Sequence, residues 1–200
     1  MDRVKDKVVL IVGSVLILVG SVPSLEAQTS YKVRNSNEIA LSLSGTTPLR
    51  NWKMSAQGLQ GDAKMVISTL NQLIEIDSLT FSLPVRNLKG DQAAMDKDAY
   101  RVLKADRYKE IVFSLNSAKV EPEGEHLFLI KALGNLTVAG VTKEVTFTMH
   151  SKIAEDESIS FTGSEVVRMS DYNVERPSLL LGTIRAGDKM TLTYTLIFSK

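Results

Sequence analysis

The stretch from Gly134 to His150, GNLTVAGVTKEVTFTMH, constrains the fold more than any other part of the chain. After the small pair Ala139-Gly140, the residues Val141, Val145, Phe147 and Met149 alternate with Thr142, Glu144, Thr146, Thr148 and His150, and Lys143 is the one departure. Successive side chains of a strand point to opposite faces, so this run has one apolar face and one wet face. Leu133 to Val138, before the break, is also strand-like. Gly140 tolerates positive φ at little steric cost, and the two runs predict a hairpin with a short loop.

The same design recurs along the chain. Ile39, Leu41 and Leu43 share a face of the run Glu38 to Gly45, which Pro48 interrupts because it cannot donate to a central ladder. Ile111, Phe113 and Leu115 share another, as do Ile159 with Phe161 and Val167 with Met169. In the last run Met190, Leu192, Tyr194, Leu196 and Phe198 alternate with Thr191, Thr193 and Thr195. Leu127 to Ile130 is apolar on both faces, which predicts a strand covered on both sides, with the helix as the cover. In Leu73 to Val85, Asp77 shares the parity of Leu79, Phe81 and Leu83, so either a bulge shifts the register or Asp77 faces the interior. Only Asp91 to Tyr108 changes period. There Met95, Ala99, Val102 and Leu103 recur at helical spacing, Asp91 can cap the N-terminus, and Arg101, Lys104 and Arg107 favour the C-terminal end. About eight strands and one helix predict an all-β antiparallel barrel, because the apolar face recurs on successive strands and closed barrels of about eight strands can hold a ligand.

Met1 to Ala27 reads as a secretory signal peptide rather than part of the fold. Arg3, Lys5 and Lys7 precede the apolar run Val8 to Val22, Pro23 and Ser24 end it, and the run is shorter than the roughly 20 residues that a spanning helix needs. The predicted domain is therefore residues 28–200, periplasmic or secreted, with no membrane span after cleavage. The chain has no cysteine, which removes thiol nucleophiles and thiolate metal sites, and its net charge of +1 gives no reason to expect nucleic acid as a partner.

Three segments resemble the YceI family of lipocalin-like bacterial proteins: MDKDAYRVLKADRYKEIVFSL (Met95–Leu115), GNLTVAGVTKEVTFTM (Gly134–Met149) and SDYNVERPSLLLGTIRAGDKMTLTYTLIF (Ser170–Phe198). SGTTPLRNW, Ser44–Trp52, is similar to an early strand-turn segment of that family. The resemblance implies an up-and-down, lipocalin-like barrel whose apolar cavity binds a long-chain amphiphile, a polyisoprenoid or another lipid, after export to the periplasm. It implies no catalytic residues, and no cofactor is expected.

The residues that would line such a cavity are Ile39, Leu41, Leu43, Phe81, Phe113, Leu115, Val145, Phe147, Met149, Phe161, Met169, Leu192 and Tyr194. Each aromatic by itself is as readily core filling. If the inward parity holds, Asp at Phe147 or Phe161 lowers ligand uptake more than Asp at Thr146 or Thr162. Arg168, Asp171 and Arg185, beside Arg176 and Lys189, are the candidate head-group cluster, where a basic side chain can meet a phosphate or carboxylate; the alternative is a solvated loop. His126 and His150 have no metal-ligand spacing, and the chain contains no G-x-S-x-G, G-x-G-x-x-G or P-loop. Two other functions stay open at this point: a structural or interaction module with a filled core, and a lipid-modifying enzyme that uses the cavity, for which Asp77 is the residue to inspect. A homodimer also stays open.

Overall fold

The protein is described by a computed structural model that covers residues 28–34, 40–179 and 184–200. The expected signal peptide and Ile39 lie outside the described residues. In chain order the strands are β1 (Gln28–Val33), β2 (Ala40–Thr46), β3 (Asn51–Ala56), β4 (Gln60–Ile67), β5 (Leu73–Pro84), β6 (Leu88–Gly90), β7 (Glu110–Gly124), β8 (Leu127–Val138), β9 (Val141–Ile153), β10 (Ile159–Arg168), β11 (Ser178–Leu179), β12 (Ile184–Arg185) and β13 (Lys189–Ser199), with the helix α1 (Ala93–Val102) between β6 and β7.

The strands β1-β4-β5-β7-β8-β9-β10-β13 form an eight-stranded antiparallel barrel, which closes where Lys32 pairs with Ser199 and Val33 with Phe198. The hairpin β8-β9 turns on Ala139 (φ 50°) and Gly140 (φ 81°). Two successive positive φ angles match the right-handed twist of the flanking strands, which is why so short a loop suffices. Tyr108 packs on this turn, close enough that a Cβ on Gly140 would lie 2.3 Å from its Cζ.

β2, β3 and β6 branch from the barrel. β2 pairs with the first half of β13, from Met190↔Gly45 to Thr195↔Ala40, and β1 takes over at the last residues of β13. The branch widens one end of the barrel. The other end is filled: Tyr31, Met65, Phe128, Ile130, Phe161 and Phe198 are each no more than 2% exposed.

Asp77 sits in a bulge: Ser78 pairs with Lys64 and Ile76 with Met65, so Asp77 is left unpaired and exposed while Leu73, Ile76, Leu79 and Leu83 stay buried. It does not face the interior. β8 is not covered on both sides, because its outer face leaves Leu127 42% exposed and Leu129 and Leu133 half-buried. The helix instead crosses the wide end of the barrel, against β6 and the 3-10 turn Val85–Asn87. It is also shorter than its periodicity: Gln92, not Asp91, is the N-cap, with no side-chain cap bond, and Lys104 leaves the helix at φ 54°. Asp96 ties the helix start to β6 instead, its Oδ1 accepting the Gly90 N–H at 2.7 Å.

Candidate functional site

The widened end of the barrel is not filled and holds a cavity of about 210 Å³. Its wall is made by inward positions of β2, β3, β5, β6, β7, β8, β9, β10 and β13. Its roof is the apolar stripe of α1, Met95, Ala99 and Val102 with Leu103. Met169 and Tyr172, from the 3-10 turn Met169–Tyr172, close one side.

Leu41, Leu43, Phe81, Phe147, Met169 and Leu192, all picked out by alternation, line this cavity. Phe113, Met149, Phe161 and Tyr194 do not line it; they are buried in the layers beneath. Leu115 and Val145 flank Gly134 in register and are half-buried away from the cavity wall. The physical reason is that alternation assigns a residue to a face and says nothing of its depth along the barrel. Sequence reasoning missed Trp52, Met54, Leu88, the α1 stripe and Tyr172 as lining residues. One signal for the helix was present, since an amphipathic helix in a β-barrel protein has to cover apolar surface somewhere.

The floor of the cavity is an aromatic belt. Phe81 stacks on Phe113 at 5.2 Å between centroids, Phe113 meets Phe147 at 5.1 Å, and Phe147 meets Tyr194 edge-on at 6.1 Å. These residues sit on β5, β7, β9 and β13. The belt crosses the intervening strands because each presents a glycine. A Cβ on Gly134 of β8 would lie 2.5 Å from Phe113 Cζ, and one on Gly163 of β10 would lie 2.3 Å from Tyr194 Oη.

The lining is apolar except for Thr47, Arg50, Gln92, Asp98, Trp52 and Tyr172. Trp52 Nε1 and Tyr172 Oη are buried and have no hydrogen-bond partner among the described residues. The Trp52 indole lies over its register partner Gly45, where a Cβ would approach the ring to 2.5 Å. Burial, and secondarily Asp171, pushes the Tyr172 hydroxyl up to about 12. It is therefore a neutral donor at physiological pH.

The expected head-group cluster lies outside the cavity wall. Asp171 is exposed on the 3-10 turn, Arg185 is exposed on β12, and Arg168 Nη1 stands 3.9 Å from Asp188 Oδ2. The group that organises this region is Asp188. Its Oδ1 accepts the Ser170 N–H at 2.9 Å, its Oδ2 accepts the Ser170 hydroxyl at 2.8 Å, and its carbonyl accepts the Met169 N–H at 3.0 Å. The Ser170 hydroxyl, then the Ser170 N–H, and more weakly Arg168 and Arg176, hold the Asp188 carboxyl below its ordinary value of 3.8. A depressed folded-state value adds stability above the unfolded carboxylate range, and that stability is lost as pH falls through the folded value. Wild type is therefore expected to be more stable than Asp188→Asn at neutral pH, and denaturant titrations should show the difference shrinking as pH falls below 3.8.

The histidines take other partners. His126 Nδ1 is 3.2 Å from the Asn71 carbonyl, and His150 Nδ1 is 2.7 Å from Glu123 Oε2. Among the described residues no group of three or more His, Cys, Asp or Glu could hold a metal ion. No helix among them is long and apolar enough to cross a membrane.

The family model of the YceI-like domain matches residues 29–198. No curated protein matches the chain. Among solved structures, Burkholderia cenocepacia BcnA is similar at a TM-score of 0.64 and 14% identity, over 80% of this chain and 95% of that one. A polyisoprenoid binding domain from Saccharophagus degradans is similar at a TM-score of 0.64 and 11% identity, over 84% and 97%. The Campylobacter jejuni YceI protein is similar at a TM-score of 0.55 and 16% identity, over 74% and 84%.

Proposed function

The chain belongs to the YceI-like family, and from that membership together with the cavity we propose that it binds a single-chain amphiphile, prenyl or acyl, without transforming it. The observation that carries this reading is the unfilled apolar space itself. Protein interiors are close-packed. An apolar recess of about 210 Å³, partly open to solvent, leaves its lining side chains without some of the contacts that a filled interior gives. A filled structural module has no need of that loss. The polyisoprenoid binding domain among the similar structures supports a lipid as the occupant. The apolar leader supports export, which would set the protein to carry, store or sense its lipid in the periplasm or outside the cell.

The two buried donors refine the ligand. Trp52 Nε1 and Tyr172 Oη have no surface open to the cavity as it stands, so each can donate to an uncharged ligand oxygen, such as an ester or other carbonyl, once its ring turns toward the lumen. Tyr172→Phe should weaken binding of an ester-bearing ligand by about two- to tenfold, the worth of one net hydrogen bond, and leave binding of the matching hydrocarbon unchanged. Trp52, the only tryptophan, lines the cavity, so its fluorescence reads both titrations.

The direct test is native mass spectrometry of the purified protein, followed by organic extraction. A stoichiometric prenyl or acyl compound is the expected result. A protein that emerges bare and then takes up no added prenyl or acyl amphiphile overturns the reading.

A further inference from the structure

We propose that the aromatic belt is a ruler: Phe113, Phe147 and Tyr194 set how long an apolar chain the cavity admits. The proposal rests on the reading of the cavity as a lipid site.

The belt is where the cavity ends. Along β13, Leu192 lines the cavity, Tyr194 belongs to the belt, and Leu196 and Phe198 below it are 3% and 0% exposed. Along β9 the order is the same, with Phe147 in the wall and belt and Met149 and Ile153 buried beneath. Along β7, Ile111 lines the cavity and Phe113, next inward, is fully buried. A tail that enters under α1 therefore meets ring faces and edges after the wall residues, and behind them a filled core. The cavity's 210 Å³ is smaller than the roughly 300–1,000 Å³ of sites for drug-sized ligands, so only part of a long chain fits between the roof and the belt. The belt is held by its glycine notches, so its depth does not depend on one rotamer. Phe113 is locked over Gly134 and Tyr194 over Gly163.

Two substitutions move the floor in opposite directions. Tyr194→Leu removes the ring. It also removes a buried hydroxyl that has no partner among the described residues, which offsets part of the lost packing. Gly163→Ala places a methyl 2.3 Å from Tyr194 Oη and 2.5 Å from its Cζ, with the Thr148 carbonyl oxygen 3.1 Å away, so the ring has to tilt off the wall toward the barrel axis. Phe113→Leu serves as a second deepening variant if Tyr194→Leu does not fold.

The experiment titrates each protein with a homologous series of straight-chain monoacylglycerols, read by Trp52 fluorescence. In wild type each added methylene should tighten binding by about fourfold until the tail reaches the belt, and not beyond. Tyr194→Leu, or Phe113→Leu, should keep the fourfold gain past the wild-type break, and Gly163→Ala should bring the break to shorter chains. Gains that run through the whole wild-type series, or a break that stays put in folded variants that still bind the shortest chains, overturn the ruler and leave the lipid site standing. No binding by any member, nor by a parallel series of prenyl alcohols, overturns the lipid reading, and the ruler with it.

Discussion

Replacing Phe161 by alanine is expected to cost about 3–5 kcal/mol of folding stability, the usual loss for a fully buried phenylalanine. Phe161 is 1% exposed, packs edge-on against Phe198 at 5.5 Å between centroids, and lies in the filled end of the barrel. Its register partner Leu196 is 3% exposed and Phe198 is fully buried, so the neighbours are themselves held in the core around the space. Ligand uptake by the folded protein should not change, because Phe161 is no part of the cavity wall. Phe147→Ala should behave differently, lowering both stability and uptake, since Phe147 is buried and also lines the cavity. Chemical denaturation gives the first quantity and Trp52 fluorescence the second. If Phe161→Ala depresses uptake as much as Phe147→Ala, the division into a filled end and a hollow end is wrong. The alternation of β9 and β10 predicted that these two phenylalanines would act alike; the structure separates them by depth.

Gly134→Ala is expected to destabilise the protein by about 1–3 kcal/mol or more, an overpacking penalty from a single methyl. The methyl would lie 2.5 Å from Phe113 Cζ and 2.5 Å from the Ser114 carbonyl oxygen. The ring could rotate aside at the expense of the belt, but the Ser114 oxygen belongs to the neighbouring strand's backbone and cannot yield without stretching the β7-β8 ladder. Gly124→Ala is the control. Its nearest contact would be Leu127 Cδ1 at 3.5 Å, ordinary van der Waals distance, and its effect should stay within about 0.5 kcal/mol. Equal losses at the two glycines in denaturant titrations would mean that Gly134 is not the notch that seats Phe113.

The same glycine shows how far a sequence reading can reach. Gly134 falls on the inward face of β8 between Ala132 and Leu136, and its alternation parity is readable from the chain alone. That a ring from the next strand occupies the space above it is not readable, because the partner is set by register across β7 and β8, including a shift between Leu115 and Ser117. Asp77 is a similar case. Its broken parity announced a bulge or a buried carboxylate, and only pairing with β4 decided for the bulge.

Local chemistry in the chain determined the strand-rich architecture, the hairpin at Ala139-Gly140, the presence and approximate place of the one helix, and the apolar face of each strand. These follow from side-chain period and backbone preference, which act over a few residues. The tertiary structure decided where along the barrel the interior is solid and where it is hollow, that α1 roofs the hollow end, and that Trp52 and Tyr172 line it with their polar atoms buried and unpaired among the described residues. Those properties depend on how β2, β3 and β6 leave the barrel beside β13, and on which side chains meet across strands far apart in the chain. An alternating pattern repeats identically at every depth, so depth enters only when the strands are stacked in register.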